Sequence, residues 1–303
     1  MLEALFCRAS YAAAFCAVLL LGGGLAEANP PSQRDLRLRV IPERPIQGSF
    51  ILVELEGAVP GDRVSGSFRD RPLRFFLDDS GRLRALGAVK LECPAGPHPL
   101  QLQVVPPEGA SISQETVVTI REGRFDDQEL RVRRKYVKPP KRLHARIRKD
   151  REAIKKIWDA PPTARAWQGN FVWPRRDTIT SSFGLRRVFN GELQSRHRGL
   201  DIDGRRGSPV RAIGSGTVVM VSDRYYSGGT VVIDHGLRLF SLYFHLRGKL
   251  VKVGQQVKAG QKIGTVGRSG RATGPHLHLS VKLEGVYFDP QQLLDFDFGG
   301  EAP

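Results

Sequence analysis

Residues 275–283 read PHLHLSVKL, in which polar and apolar side chains alternate. Successive side chains of a β-strand point to opposite faces of the sheet, so the alternation predicts a strand with one buried face. The face toward the core carries Leu277, Leu279 and Val281. The other face carries His276, His278 and Ser280. Two imidazoles that start about 7 Å apart along a strand can converge on one ion, or one can bind while the other acts. The spacing leaves both arrangements open.

The sequence around this stretch has the same β character. From residue 173 onward, apolar runs are separated by glycines: PVRAIGSGTVVMVS, GGTVVIDHG, LRLFSLYFHL and KLVKVGQQVKAGQKIGTVG. Glycine is abundant, at 33 of 303 residues, which favours turns over long helices. We predict a compact antiparallel β domain over residues 165–298.

A second β-rich region covers residues 35–122. Short runs such as SFILVELEG, RVSGSFRD, LRFFLD and ETVVTIRE are separated by the turn sequences VPGD, DDSG and PAGP. About seven short strands in some ninety residues indicate an immunoglobulin-like sandwich. The predicted fold is therefore all-β with two domains. The lone His98 is expected in a turn and has no catalytic neighbours.

The connector between the two regions, residues 124–160, is strongly basic. Residues 131–156 contain 13 Lys and Arg against Asp150 and Glu152, and the whole chain has a formal net charge of +16. Apolar residues at helical spacing, such as Leu143, Ile147 and Ile154, predict a helix over 141–158. The charges are either a solvated helix face or a surface for acidic envelope polymers or phospholipid headgroups. Neither aromatic interleaving nor zinc-finger spacing supports nucleic-acid binding.

The N-terminus has the features of an export signal. An apolar run over residues 11–25 follows Arg8 and precedes AEA, which ends at Ala28. The run is shorter than a membrane-spanning helix, so residues 1–28 predict a signal peptide, with an uncleaved anchor as the alternative. The expected location is the periplasm or cell envelope. Cleavage removes Cys7 and Cys16 and leaves Cys93 alone, which excludes an internal disulfide and a cysteine-rich zinc knuckle.

Two more motifs complete a candidate metal site. His197 and Asp201 lie four residues apart in HRGLD, and His245 lies in SLYFHL. A catalytic zinc takes three protein ligands and keeps one position for water, and two histidines with one carboxylate form such a set. Asp203 is a second carboxylate on the same predicted strand face. The alternative interpretation is that Asp201 and Asp203 are turn residues before GRRG.

HRGLD, SLYFHL and TGPHLH, in this order, resemble the motifs of the lysostaphin/LytM-type zinc metallopeptidases. The resemblance covers about residues 170–294, and the N-terminal strands and basic helix resemble the exported members of Gram-negative bacteria. It implies one Zn²⁺ per chain, held by His197, Asp201 and His278, with His245 and His276 as catalytic histidines. It assigns no ligand role to Asp203. The implied substrate is peptidoglycan, with the D,D cross-link as the first expectation.

One position departs from the family pattern. Some members place a tyrosine shortly before the first ligand, where its hydroxyl helps to hold the oxyanion, whereas Phe189 is the nearest upstream aromatic here. Certain latent members use an upstream asparagine to occupy the open zinc position. Asn190 is either such a latch or the turn residue of its Asn-Gly pair.

The resemblance implies hydrolysis by zinc-bound water, whose pKa falls to about 7. HExxH is absent, so His245 and His276 are the candidates for proton transfer and oxyanion stabilisation. The main alternative is a catalytically inactive relative that activates a cell-wall amidase. A lipoyl- or biotinyl-type carrier module is a weaker alternative, because no MKM hairpin is present and the histidines would be unexplained. The sequence makes no prediction of oligomeric state.

Overall fold

The fold is described from a computed structural model, which describes residues 35–299. The predicted signal peptide, with Cys7 and Cys16, lies outside these residues. Seven strands form the N-terminal region: β1 (Arg37–Ile41), β2 (Phe50–Glu56), β3 (Arg63–Phe68), β4 (Arg71–Leu77), β5 (Leu83–Ala88), β6 (Gly96–Val105) and β7 (Ile112–Ile120).

These strands hydrogen-bond in the order β1-β2-β5-β4-β3-β6-β7. Strand β4 is shared: Arg74–Leu77 pairs with β5, while Arg71–Leu73 pairs with β3. The β1-β2-β5-β4 and β3-β6-β7 groups have the strand order of an immunoglobulin-like sandwich. The strand-rich architecture of the described residues confirms the predicted all-β class. Between them lies a buried cluster that includes Ile51, Val53, Phe68, Leu100 and Ile120. His98 lies in β6 and not in a turn as predicted, because β6 begins at Gly96.

The sequence pattern does not predict strand β5, whose sequence is LRALGA. Arginine, alanine and glycine are weak strand formers, so local propensity did not reveal it. Its position is set by two neighbours, since β5 pairs with β2 on one side and with β4 on the other.

The C-terminal region has short strands around one large sheet. Its elements are β8 (Asp127–Leu130), α1 (His144–Asp159), β9 (Ile179–Ser181), β10 (Arg186–Phe189), β11 (Leu193–Arg196), β12 (Leu200–Asp203), β13 (Pro209–Arg211), β14 (Gly216–Arg224), β15 (Gly228–Asp234), β16 (Leu239–Leu246), β17 (Gly248–Lys249), β18 (Gln256–Val257), β19 (Lys262–Thr265), β20 (His276–Leu283), β21 (Val286–Phe288) and α2 (Pro290–Leu294). The large sheet has the order β18-β14-β15-β16-β20-β12-β9, and β21 also pairs with β20.

Strand β20 holds the histidine pair at the centre of this sheet. It lies between β16 and β12, and both pairings are antiparallel. Leu277, Leu279 and Val281 are fully buried in the core face, as the alternation predicts. His276 and His278 are half-buried on the opposite face. The core face is therefore occupied by hydrocarbon, and the polar face is free to form a site.

The basic connector contains a strand that was not predicted. Strand β8 runs parallel to β10, and β10 pairs with β11 to form a separate three-stranded sheet. A strand of four polar-rich residues, Asp-Gln-Glu-Leu, carries no apolar alternation, so the pairing depends on the tertiary structure. The connector is consequently hydrogen-bonded to the C-terminal domain rather than running free between domains.

The predicted helix is present as α1, preceded by a 3₁₀ turn over Lys141–Leu143. Its apolar side contacts the large sheet, where Trp158 lies edge-on to Phe240 with ring centroids 5.0 Å apart. Its cationic side is exposed, and so is His144. Among residues 35–299, no helix combines the length and the hydrophobicity needed to cross a bilayer.

The sandwich and the C-terminal domain share one core, so the described chain packs as one compact unit. Phe50 of β2 contacts Phe288 of β21, with ring centroids 5.8 Å apart. Next to this contact, the buried Arg84 side chain donates to Glu54 Oε1 at 2.5 Å and to the Phe298 carbonyl at 2.9 Å. It also pairs with Asp78 Oδ2 at 2.7 Å. One guanidinium thus neutralises two buried carboxylates and connects both regions.

We expect Arg84→Met to destabilise the protein by about 3–5 kcal/mol, because it leaves the buried Glu54 carboxylate without its cation and removes one of the two cations that pair with Asp78. Arg82→Met is the matched control, since Arg82 also pairs with Asp78 but its side chain is 53% exposed. The control should cost less than about 1 kcal/mol. Urea unfolding measures both values, and equal losses for the two variants would contradict a structural role for the buried network.

Candidate metal centre

Three donor atoms converge where β12 faces β20. His197 Nε2 lies 3.1 Å from Asp201 Oδ1 and 3.1 Å from His278 Nδ1, and His278 Nδ1 lies 2.7 Å from Asp201 Oδ1. The strand register creates this arrangement, because Asp201 of β12 is paired directly with His278 of β20. His197 directly follows β11 and lies three residues before β12, and its side chain is almost fully buried. These are the three residues to which the family resemblance assigns the zinc, and they form the one His/Cys/Asp/Glu group in residues 35–299 that could hold a metal ion.

The donor set fits a zinc ion. Two imidazole nitrogens and one carboxylate oxygen are preferred zinc ligands, and bonds of about 2.0–2.1 Å in a tetrahedron place the donors about 3.3 Å apart. The observed separations of 2.7–3.1 Å are close to that value. Three protein donors also leave the fourth position of a tetrahedron open, as a catalytic zinc site requires.

Each candidate ligand histidine is held by a hydrogen bond through its other ring nitrogen. His197 Nδ1 donates to the Ser182 carbonyl at 2.6 Å, so Nε2 keeps its lone pair for the centre. His278 Nε2 donates to Ser280 Oγ at 2.9 Å, and that hydroxyl donates onward to the Arg198 carbonyl at 2.7 Å. Such outer partners fix the tautomer and the ring orientation of metal-binding histidines. The two rings are therefore oriented for metal binding by their hydrogen-bond partners.

The two predicted catalytic histidines lie beside the centre. The ring centroids of His245 and His276 are 4.8 Å apart, and His276 Nε2 is 3.7 Å from Asp201 Oδ1. His245 Nδ1 donates to the Ser269 carbonyl at 2.8 Å, and His276 Nδ1 donates to the Gly274 carbonyl at 3.0 Å. Both rings thereby keep Nε2 available to accept or donate a proton near the centre.

Burial and neighbouring groups shift the pKa values of three side chains at the centre. Burial alone would raise the pKa of Asp201, but its contacts with His197 and His278 outweigh burial and hold that pKa well below its usual value. Burial lowers the pKa of His278 to about 4, although Asp201 opposes the change. Burial, reinforced by His276 and His278, lowers the pKa of His245 to about 3. Near neutral pH, Asp201 is ionised and both of these imidazoles are neutral.

Sequence reasoning missed Arg187, which contacts the centre from outside. Its Nη2 donates to Asp201 Oδ2 at 2.5 Å, while its Nε donates to Gln128 Oε1 at 2.8 Å. Gln128 also donates to Ser181 Oγ at 2.8 Å. The register of β8 and β10 pairs Gln128 with Arg187, so the connector strand positions a cation on the outer oxygen of Asp201. No local motif in the sequence marks this contact, since Gln128 and Arg187 are 59 residues apart.

Two other residues singled out in the sequence, Asn190 and Asp203, lie away from the centre. Asn190 has a φ of 55° and exchanges two hydrogen bonds with the backbone of Val132, at 2.8 and 2.9 Å. It therefore occupies the turn and holds the connector, and the latch hypothesis is wrong. Asp203 is exposed, and its carboxylate accepts from the Gly204 amide. Tyr225 is buried, with its hydroxyl donating to the Lys135 carbonyl, whereas Tyr226 lines the groove at the centre.

That groove is a cavity of about 260 Å³ above His197, His245 and His278. Its remaining walls are aromatic, serine and cationic side chains: Phe189, Tyr226, Phe244, Tyr287, Ser195, Ser227, Ser280, Arg187, Arg196, Arg198 and Arg271. A bound chain would therefore contact both the centre and a strongly positive wall.

The antiparallel sheet and its His/Asp/His centre together define a metallopeptidase-type domain. Residues 195–290 match peptidase family M23. This confirms the lysostaphin/LytM-type resemblance. A solved structure, a putative peptidase M23 from Pseudomonas aeruginosa, superposes with a TM-score of 0.63 at 25% identity, covering 82% of this chain and 94% of that one.

Curated relatives match mainly the C-terminal domain. The peptidoglycan DD-endopeptidase ShyC of Vibrio cholerae is 39% identical over 115 residues, which are 37% of this chain and 26% of the relative. The murein hydrolase activator EnvC of Escherichia coli is 34% identical over 146 residues, which are 48% of this chain and 34% of that protein. The chain thus spans about a quarter to a third of the length of these two relatives.

We expect Ser280→Ala to weaken zinc binding by about 10- to 100-fold, because it removes the acceptor that orients His278. Ser241→Ala is the matched control: Ser241 is also a buried serine that contacts a histidine, His235, away from the centre. Competition with a chromogenic chelator measures the affinities. Equal zinc affinity in the Ser280→Ala variant and the unmodified protein would refute the role of this hydroxyl.

Proposed function

We propose that the protein is a zinc-dependent endopeptidase that hydrolyses peptide cross-links of peptidoglycan. The observation that carries the proposal is the convergence of His197, Asp201 and His278 beside two further histidines in an open groove. Three ligands make a catalytic zinc site, and the two adjacent imidazoles offer the proton-transfer groups that peptide hydrolysis needs. The match to family M23 supports the peptidase class.

Zinc held by these ligands would lower the pKa of a bound water to about 7 and polarise the substrate carbonyl. Side chains of the protein supply the remaining functions, which are proton transfer, oxyanion stabilisation and orientation of the ligands. His245 and His276 are fixed through Nδ1, so the Nε2 of each is free to move a proton or to stabilise the oxyanion. Arg187 occupies Asp201 Oδ2, which leaves Oδ1 as the ligand atom. The nearest aromatic residue upstream of His197 is Phe189, which has no hydroxyl, so this arrangement assigns no role to a tyrosine there.

The assignment of peptidoglycan as the substrate rests on the relatives and on the predicted export signal. The relative from Vibrio cholerae is named a peptidoglycan DD-endopeptidase, which supports the D,D cross-link as the bond cleaved. An envelope location follows from the same proposal, because that polymer lies outside the cytoplasmic membrane. The exposed cations of α1, which include Arg148, Lys149 and Arg151, support weak association with acidic envelope polymers.

The second candidate function is activation of a cell-wall amidase without catalysis. The similarity to the murein hydrolase activator of Escherichia coli favours it. The complete set of five histidine and aspartate side chains favours hydrolysis, because an activator without catalysis has no need of three converging ligands. The two functions differ in whether the purified protein alone releases products from the cell wall.

The decisive experiment is mass spectrometry of fragments released from purified peptidoglycan sacculi. We expect the zinc-loaded protein to convert cross-linked muropeptides into monomers and o-phenanthroline to abolish the reaction. Zinc added back should restore it. Failure of the zinc-loaded protein to release monomers would refute the endopeptidase, and stimulation of an added amidase would then identify an activator.

We expect His276→Ala to lower kcat by about 10²- to 10⁴-fold, the usual contribution of a general acid or base, while zinc stays bound. His144→Ala is the control, because His144 is exposed on α1 and does not belong to the lining of the groove. Zinc content by plasma mass spectrometry accompanies each rate. Full activity in a His276→Ala variant that retains its zinc would remove the catalytic role of this residue.

A further inference from the structure

The groove is more positive than a zinc centre requires. Four arginines line it, and no Asp or Glu belongs to its lining. Three of these guanidinium groups have partners: Arg187 pairs with Asp201, Arg196 donates to the Gly184 carbonyl at 3.2 Å, and Arg198 pairs with Glu92 at 3.5 Å. The fourth arginine, Arg271, has neither a carboxylate within ion-pair distance nor a side-chain hydrogen bond within the part of the chain that the structure describes.

Arg271 is nevertheless held in a defined position. Its Cζ lies 4.2 Å from the centroid of the buried Phe189 ring and 5.2 Å from that of Tyr226. Guanidinium groups stack on aromatic faces and keep their edge donors free. Burial lowers the pKa of Arg271, with Tyr226 opposing and Arg187 reinforcing the change. A cation partly removed from water without an anion is a prepared site for one.

The loop that carries Arg271 is also the loop that holds His245. The Arg271 amide donates to the Tyr226 carbonyl at 2.7 Å, and His245 Nδ1 donates to the Ser269 carbonyl at 2.8 Å. Gly228 and Gly270, both at positive φ, let the two loops touch: a Cβ on Gly270 would lie 2.4 Å from Tyr226 O and 2.5 Å from Gly228 N. The guanidinium is thus fixed relative to a catalytic histidine through two short backbone contacts.

We propose that Arg271 is a specificity-determining residue that binds a free carboxylate of the substrate peptide close to the cleaved bond. The inference rests on the proposed function and deepens it. A carboxylate matches the planar donor edge of a guanidinium, which forms two parallel hydrogen bonds with it. The stacked rings orient that edge. A neutral carboxamide at the same place would bind to it much less tightly than a carboxylate. The substrate class is therefore an anionic peptide, not an uncharged one.

The test compares cross-linked muropeptide dimers that differ in one group. One dimer has all its stem carboxylates free, and the others carry a single carboxamide, in turn at the glutamate, the diaminopimelate or the terminal alanine. The ratio of kcat/KM for the free dimer to that for each amide is measured, together with the Kd of each dimer. The proteins are the zinc-loaded full chain, Arg271→Met, Arg271→Lys and the control Arg268→Met, which removes an equal charge from an exposed position of the same loop.

We expect the unmodified protein to cleave one of the amidated dimers about 10- to 100-fold less well than the free dimer, which is the range for a charge-assisted hydrogen bond. Arg271→Met should bring that ratio to about one, Arg271→Lys should retain part of it, and Arg268→Met should keep it all. A ratio near one for every amide with the unmodified protein, or an unchanged ratio in Arg271→Met, would overturn the inference. If circular dichroism shows that Arg271→Met is unfolded, the kcat/KM ratio of Arg271→Lys decides. A fall in that ratio supports the inference, and an unchanged ratio overturns it.

Failure of the proposed function gives a different result. The zinc-loaded protein could cleave no dimer and still bind the free dimer more tightly than one of the amidated dimers. If that preference is lost in Arg271→Met, the result refutes the endopeptidase and supports carboxylate recognition. Cleavage of free and amidated dimers at equal rates refutes the recognition and supports the endopeptidase.

Discussion

The pairing of β12 with β20 is the constraint on which the rest of the site depends. It sets Asp201 directly opposite His278, and the buried face of the same pairing, with Leu277 and Ile202, locks the register. A slip of one residue would move the histidines into the core and the leucines into the groove. The hydrophobic core therefore does more than stabilise the sheet. It determines which donor atoms meet, before any metal binds.

Bringing Asp201 into this position has an electrostatic cost that the surrounding residues offset. A buried carboxylate is unfavourable unless it is paired and hydrogen-bonded. Without metal, two imidazoles contact Oδ1 and Arg187 contacts Oδ2. A zinc ion would take over the role of the imidazole contacts, whereas the contact from Arg187 would remain. The connector strand β8, which positions Arg187 through Gln128, is in this way a structural part of the metal centre.

Local sequence predicted the parts of the site that are local in structure. The period-two pattern around His276 and His278 gave the strand and its faces, and the motif resemblance gave His197 and Asp201 their proposed roles. The parts that depend on distant segments were missed. Strand β8 lacks any apolar alternation. The role of Arg187 becomes visible only when β10, the strand that carries it, is paired with β8. Asn190 invited two interpretations because its side chain can cap a turn or reach a metal, and only its bonds to Val132 distinguish them.

The distribution of charge in the groove distinguishes the residues of the candidate metal centre from the residue proposed to select the substrate. At the centre, each charged group is matched: Asp201 has Arg187 and would share its second oxygen with a dication. In the wall of the groove, Arg271 is stacked between Phe189 and Tyr226 and is not paired with any anion of the described chain. An unmatched, partly buried cation weakens the folded state, and its contacts with the two rings offset only part of that cost. Under the proposed function, a substrate anion supplies the missing partner close to the candidate catalytic histidines, and the residual cost in stability is the basis of substrate selectivity.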